Sequence, residues 1–412
     1  MRHETCAKPQ QKPEKMHTIL RLIFLAGLMV SPWVSKAQLA EIPFETYGTK
    51  MVVELTVKGK KINFMVDTGA TQSVLDSALV KSMDLGIWRT QKVGGIGTVT
   101  EYEKTLFQYP SLNDSVEIPF VPFIAIPISE DADRAFDGII GADMFKKFIV
   151  EIDQDTQVMR FYENGTSLDS IAESYTKLHI RTLFLSPFPF LKTKLVASNG
   201  KTVRGKFYLD TEAFFNLGMD RSHAERHGLI GSGEKTLEYP IRGINQESTG
   251  EMALLPGLQL GEYTFPELAT YLHPGELLLS NIGPKKNGLI GNGVLQQFNT
   301  IWDYKGGALY IKPSQTFTTE LPTPRSGVGL KTQDGQVVVR RVLKDSPAEQ
   351  LGLKEGQIIV SIDGITTDNI LEYKKILYEA RSPIQVVVRQ GIPSTDAEGE
   401  LLTVTLPMQP LL

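Results

Sequence analysis

Residues 60–70 read Lys-Lys-Ile-Asn-Phe-Met-Val-Asp-Thr-Gly-Ala, and residues 205–213 read Gly-Lys-Phe-Tyr-Leu-Asp-Thr-Glu-Ala. Each is a short apolar run with strand composition that ends on an acid followed by threonine. A bare Asp-Thr-Gly carries little weight. It arises by chance on the order of 0.2 times in a chain of this length, and Asp and Gly both favour ordinary turns. The weight rests on what recurs with it.

Downstream of each acid comes an apolar-apolar-glycine element, Ile139-Ile140-Gly141 and then Leu289-Ile290-Gly291. Each element is followed by a strand-like run ending in aromatics or branched residues, Val158-Met159-Arg160-Phe161-Tyr162 and Ala308-Leu309-Tyr310-Ile311. Between acid and glycine each half has a Gly-containing turn, Val93-Gly94-Gly95-Ile96-Gly97 and Ile241-Arg242-Gly243-Ile244. Four features in one order, twice, indicate an internal duplication.

With these motifs residues 45–313 resemble two retropepsin-type aspartic protease lobes fused in tandem, a pepsin-like arrangement. The resemblance implies a mainly β fold: two retropepsin-like β-barrel lobes, each with a ψ-shaped crossing of acid loop and glycine strand. It implies catalytic roles for Asp67 and Asp210, supported by Thr68, Gly69, Thr211 and Glu212. It also implies a first-lobe flap at Gly94, Gly95 and Ile96, with Gly243 at the matching place in the second lobe. The second triad departs from the family pattern, with Glu212 where glycine belongs.

The chemistry explains why two acids are needed. Hydrolysis without metal or nucleophilic side chain takes a base to activate water and an acid to polarise the carbonyl. Two adjacent carboxyls share one proton, because both cannot ionise cheaply, and so split into the two roles. Other routes find little support. Cys6 is the single cysteine and lies ahead of the expected cleavage point. His223 and His227 stand four apart, but Ala224 follows the first where the zinc-protease pattern needs Glu. No phosphate loop is present, so no metal or cofactor is expected. Charged residues make up 22% of the chain with net charge −4, which gives no electrostatic case for nucleic acid or an anionic membrane.

The N-terminal segment reads as an export signal. Lys12, Lys15 and Arg21 precede or enter the apolar run 22–30, and Ser35-Lys36-Ala37 offers small residues for cleavage. The run is short for a membrane span. Cleavage after Ala37 leaves no cysteine, as is ordinary for a bacterial periplasmic or secreted protein, with no membrane span remaining.

Near the other end, Pro313, Pro322 and Pro324 stand among Ser and Thr as a linker. Beyond it the tail resembles a bacterial PDZ domain, on Gly327-Val328-Gly329-Leu330, Asp345-Ser346-Pro347-Ala348, Leu351-Gly352-Leu353-Lys354-Glu355-Gly356-Gln357-Ile358-Ile359 and Ile362-Asp363-Gly364. Gln357 departs where Asp is usual. Such domains add a peptide as an edge strand and capture its carboxylate with backbone N–H groups. The resemblance assigns that loop to Gly327, Val328, Gly329 and Leu330, and a helical wall to Tyr373 and Leu377. The expected organisation is a signal segment over 1–37, lobes over 38–175 and 176–313, a linker over 314–325 and the PDZ domain over 326–412.

Two functions compete. One is an exported aspartic endopeptidase acting on peptides or unfolded proteins, with the PDZ domain recruiting or regulating C-terminal peptides. The other is a peptide-binding protein that keeps the cleft without turnover, an option Glu212 leaves open.

Overall fold

The computed structural model describes residues 38–47, 49–94, 99–113, 116–128, 136–183, 187–197, 199–231, 233–242, 247–255, 257–274, 287–321, 323–390 and 399–412. The segment 1–37, the expected flap residues Gly95, Ile96 and Gly243, and Pro322 of the expected linker lie outside the described residues. From Leu39 to Leu412 the chain packs as one compact unit.

The fold is mainly β, with short helices. Its organising motif is a strand buried on both faces near its tip. In Lys60–Val66, Ile62, Phe64 and Val66 enter the main core, while Met65 joins a second apolar cluster on the opposite face. Thr202–Leu209 repeats this, with Phe207 and Leu209 in the main core and Tyr208 on the other side. Successive strand side chains point to opposite faces, so a run that is apolar at every position must be covered twice.

The strand Gly138–Ile140 lies parallel to Lys60–Val66 with Ile140 opposite Val66, and Gly288–Ile290 lies parallel to Thr202–Leu209 with Ile290 opposite Leu209. A parallel neighbour requires a long crossover, and the intervening hairpins supply it. In the first lobe this is Ile87–Gly94 paired with Val99–Thr105, and in the second Leu237–Arg242 paired with Glu247–Leu255. The duplication is thus present in strand register as well as in sequence.

The lobes share one sheet. Its strands run in the order Gln38–Tyr47, Val158–Glu163, Phe148–Asp153, Phe298–Asp303, Ala308–Pro313 and Thr176–Arg181. The central pairing, Val150 opposite Trp302, joins equivalent strands of the two halves. Trp302 is wholly buried and packs edge-on against Phe145 at 6.1 Å. A fixed floor of this kind holds the two acid-bearing loops in one geometry.

The tail forms a separate five-stranded sheet, Val328–Gln333, Gln336–Val342, Ile358–Ile362, Ile384–Arg389 and Leu401–Leu406, with helices Pro347–Gln350 and Ile370–Glu379. Ser346 caps the first helix by accepting from Glu349 N–H, with Pro347 following it. At the position where Asp is usual, Gln357 Oε1 accepts from Lys354 N–H, and its Nε2 is buried without a partner among the described residues.

Candidate active site

Each acid leaves its strand at the same point. Asp67 N–H donates to Ile140 O and Asp210 N–H donates to Ile290 O, both at 3.0 Å. The glycines that follow these carbonyls are required by close packing. A Cβ at Gly141 would stand 2.8 Å from Gln72 O, and one at Gly291 would stand 2.1 Å from Phe215 O. Acid loop and glycine strand cross backbone against backbone, which no side chain permits.

The two loops are clamped reciprocally. Thr68 N–H donates to Thr211 Oγ1 at 3.1 Å, and Thr211 N–H donates to Thr68 Oγ1 at 3.1 Å. The Thr68 hydroxyl donates to Leu209 O at 3.0 Å and the Thr211 hydroxyl to Val66 O at 2.9 Å. Both threonines are buried, so each loop closes the other's hydrogen-bonding account.

The carboxyls are held by their own loops. Asp67 Oδ1 accepts from Gly69 N–H at 2.7 Å and Ala70 N–H at 3.0 Å. Asp210 Oδ1 accepts from Glu212 N–H at 2.8 Å and Ala213 N–H at 3.0 Å. The Gly-to-Glu change therefore costs neither donor, because both are backbone groups. Gly69 serves a second purpose: its α-carbon lies against the opposing acid, and a Cβ there would stand 2.4 Å from Asp210 Oδ2.

Burial, the charge of Asp210 and then that of Glu212 hold the Asp67 carboxyl well above the usual carboxylate range. Burial also raises Asp210, while the N–H groups of Glu212 and Ala213 and a hydrogen bond from the Asp67 carboxyl restrain it. Both carboxyls are raised and act on each other, so the pair holds one proton between them. Glu212 is a third member. Burial drives its carboxyl up to about 7, against the pull of Lys50, whose Nζ lies 3.8 Å from Oε1. Its side chain keeps 34% exposure, so it stands at the edge of the site.

Three groups at this centre carry no local signal in the sequence. Lys50 reaches Glu212 from the other lobe and lies 5.5 Å above the Phe136 ring. Tyr304 is buried close enough to the dyad that both acids, after burial itself, raise its hydroxyl. That hydroxyl has no hydrogen-bond partner among the described residues. Lys104 ties the first-lobe hairpin to the acid loop, donating to Gln72 Oε1 at 2.6 Å and Gln91 Oε1 at 3.3 Å. Gly94 ends that hairpin's first strand, opposite Val99.

The faces turned away from the main core carry separate apolar clusters that reach the acid loops. In the first lobe they are Val52, Met65, Val74, Ile124, Ile126, Phe136 and Ile139, with Ala70 of the acid loop and Val93 and Tyr102 of the hairpin packed on them. In the second lobe the counterpart is aromatic, built on Phe188, Phe190, Tyr208, Phe215 and Tyr271, with Tyr239 of the hairpin packed on it. His223 and His227 lie elsewhere, on and just after the helix Arg221–Arg226, where the His223 ring Nε2 lies 3.3 Å from the Asn287 amide nitrogen.

In the tail, Val328–Gln333 pairs along one edge with Gln336–Val342, and its other edge lies beside the helix Ile370–Glu379. Gly327 has φ of +73° and abuts Ser346, where a Cβ would come within 2.4 Å. Gly329 stands next to Arg341, while the Leu330 side chain turns into the core and leaves its backbone to the loop. The assignment of Tyr373 to the helical wall is corrected. Tyr373 is wholly buried, its hydroxyl lying between Thr367 N–H at 3.1 Å and Val360 O at 3.3 Å, so it is a core residue. Leu377, one turn on, packs against that core while staying partly exposed.

Comparison with known families finds matches in two parts of the chain. Residues 53–144 match a family model described as aspartyl protease, and residues 338–390 match one described as PDZ domain. No curated protein matched the chain. The chain carries an aspartyl-protease-like domain and a PDZ domain. The protease model ends at the first lobe, and the lobe bearing Asp210 lies beyond it.

Proposed function

We propose that the protein is an aspartic endopeptidase that cleaves peptides or unfolded proteins between its two lobes. The observation that carries this reading is the packing of Gly69 against the Asp210 carboxylate while the two threonines lock both acid loops. That geometry sets two coupled carboxyls face to face, able to share one proton. The ionised carboxyl takes a proton from a water whose oxygen attacks the scissile carbonyl carbon. The protonated carboxyl gives its proton to the carbonyl oxygen. The resulting tetrahedral diol collapses with cleavage of the C–N bond: the leaving nitrogen takes a proton from the carboxyl that holds one, and a diol hydroxyl returns its proton to the other. Both cleft walls are apolar, which suits apolar side chains on either side of the scissile bond. The PDZ domain supports binding of peptide ends that carry a free carboxylate. The apolar run 22–30 and the small residues at 35–37 support export to a periplasmic or extracellular location.

Glu212 favours a second reading, a peptide-binding cleft without turnover, because a third carboxyl opposes ionisation of the dyad. One assay separates the two. The purified protein should cleave an unfolded polypeptide at mildly acidic pH in the presence of EDTA. Asp210→Asn and Asp67→Asn should each lower the rate by about 10²–10⁴-fold, the range general acid–base groups supply. Full activity in Asp210→Asn would reject the single-chain dyad, and no activity in the wild type would favour the binding role.

A further inference from the structure

The apolar face of the tail is divided between its own core and the two cleft walls. Leu371, in the first turn of the helix Ile370–Glu379, packs into the PDZ core and also onto the first-lobe cleft cluster built on Met65, Phe136 and Ile139. Leu412 packs onto the second-lobe cluster built on Tyr208, Phe215 and Leu289. Around it, Leu343 and Leu411 close with Leu237 of the second-lobe hairpin into a further small core, with Tyr239 against it. Polar contacts accompany these. Gln296 Nε2 donates to Tyr378 Oη at 3.1 Å, Leu411 N–H donates to Pro324 O at 3.0 Å, and Arg325 Nη1 donates to Met408 O at 3.0 Å. The charge of Arg341 also acts on the buried hydroxyl of Tyr239.

The clusters that receive Leu371 and Leu412 are the faces of the acid-bearing strands that do not enter the main core. Ala70 and Ala213, each three residues after a dyad acid, belong to them. So do side chains of both hairpins, Val93 and Tyr102 in one lobe and Tyr239 in the other. On the proposed function, an extended polypeptide aligned on Asp67 and Asp210 lies along these same surfaces. Two leucines, one from the helix of the PDZ domain and one at the end of the tail, are already on them.

We propose that the PDZ domain and the segment after it form an intramolecular lid, with Leu371 and Leu412 seated on opposite walls of the substrate cleft, so that the full chain is a latent form. This inference rests on the cleft assignment of the proposed function. Opening requires both leucines, each partly buried, to leave apolar surface. The same helix carries Leu371 and borders the strand Val328–Gln333, which places the peptide-binding edge next to the lid contact.

The test uses the full chain and a probe whose binding needs no turnover: an apolar peptide in which a statine unit replaces the scissile bond. Its affinity is measured by calorimetry for the wild type, Leu412→Glu, and the double variant Leu371→Glu/Leu412→Glu. Melting curves check that the PDZ domain stays folded; Leu412 lies outside its core, so the single variant keeps the test valid if the double does not fold. A lid closed ten to one lowers apparent affinity about tenfold, which the variants should recover. Tighter probe binding with faster cleavage supports the lid and the peptidase together. Tighter binding without cleavage supports the lid and rejects the peptidase reading. Equal affinity in wild type and folded variants overturns the lid, and cleavage by the wild type would then still stand for the peptidase.

Discussion

The two acid loops have the same backbone and different sequences, and the difference shows what each position is for. Asp67 and Asp210 are each held by two loop N–H groups at matching distances. Glycine in one loop and glutamate in the other leave those bonds equal, because the donor is the main chain. What separates the loops is the space beside the opposing acid. At Gly69 that space is filled by the Asp210 carboxylate. At Glu212 a side chain is accommodated and turns towards Lys50. The pseudo-twofold arrangement is symmetric in its hydrogen bonds and asymmetric in its packing and charge. The asymmetry adds a third carboxyl to the pair: the charge of Glu212 raises Asp67, and Glu212 and Asp210 act on each other.

The strongest test of that asymmetry exchanges the two positions. Gly69→Ala should lower kcat/KM by about 10²-fold or more, the cost of moving a reacting group by about an ångström. Glu212→Gly should match or exceed the wild-type rate. Similar losses in both variants would erase the distinction. Thr68→Ala and Thr211→Ala test the symmetric half. Each removes a hydroxyl that donates to one buried carbonyl and accepts from one buried N–H, so each should destabilise the protein by about 2–4 kcal/mol in chemical denaturation. Effects that differ widely would show that the clamp is not reciprocal.

The smallest effect concerns charge. Removing the Glu212 carboxylate lowers the proton affinity of Asp67, so both limbs of the pH–rate profile of Glu212→Gln should move to lower pH, by about a unit or less. Stability follows the same sign. Glu212 holds its proton up to about 7 in the folded chain against an ordinary 4.5, so the folded state binds more protons than the unfolded one across that window. Its contribution is most favourable below pH 4.5 and is lost as pH rises towards 7. Glu212→Gln should flatten that part of the stability curve. An unchanged slope would place the carboxyl out in solvent.

Much of this was legible in the chain itself. Asp67, Asp210, Gly141 and Gly291 mark strand ends and backbone crossings, and such local demands leave local signatures. Their threonines followed from the repeated triad. Lys50 and Tyr304 left no signature, since their roles depend on which distant strand lies beside the acids. Tyr373 was misplaced because a short amphipathic helix has an inward and an outward face, and an aromatic residue with a hydroxyl suits either. Only its burial and its hydroxyl's hydrogen bonds, accepted from Thr367 N–H and donated to Val360 O, settle the face. The seats of Leu371 and Leu412 were equally invisible, because contacts between modules follow no period along the chain.

The central claim is that Asp67 and Asp210 share one proton, with Glu212 part of what holds it there. Carbon-13 NMR titration of carboxyl-labelled aspartates measures this directly, without substrate, with Asp67→Asn and Asp210→Asn assigning the signals. The account calls for the pair to lose its protons in two separated steps, the last well above the ordinary carboxylate range, and for that step to move down in Glu212→Gln. Two carboxyls that ionise independently near their ordinary values, unchanged by Glu212→Gln, would contradict it.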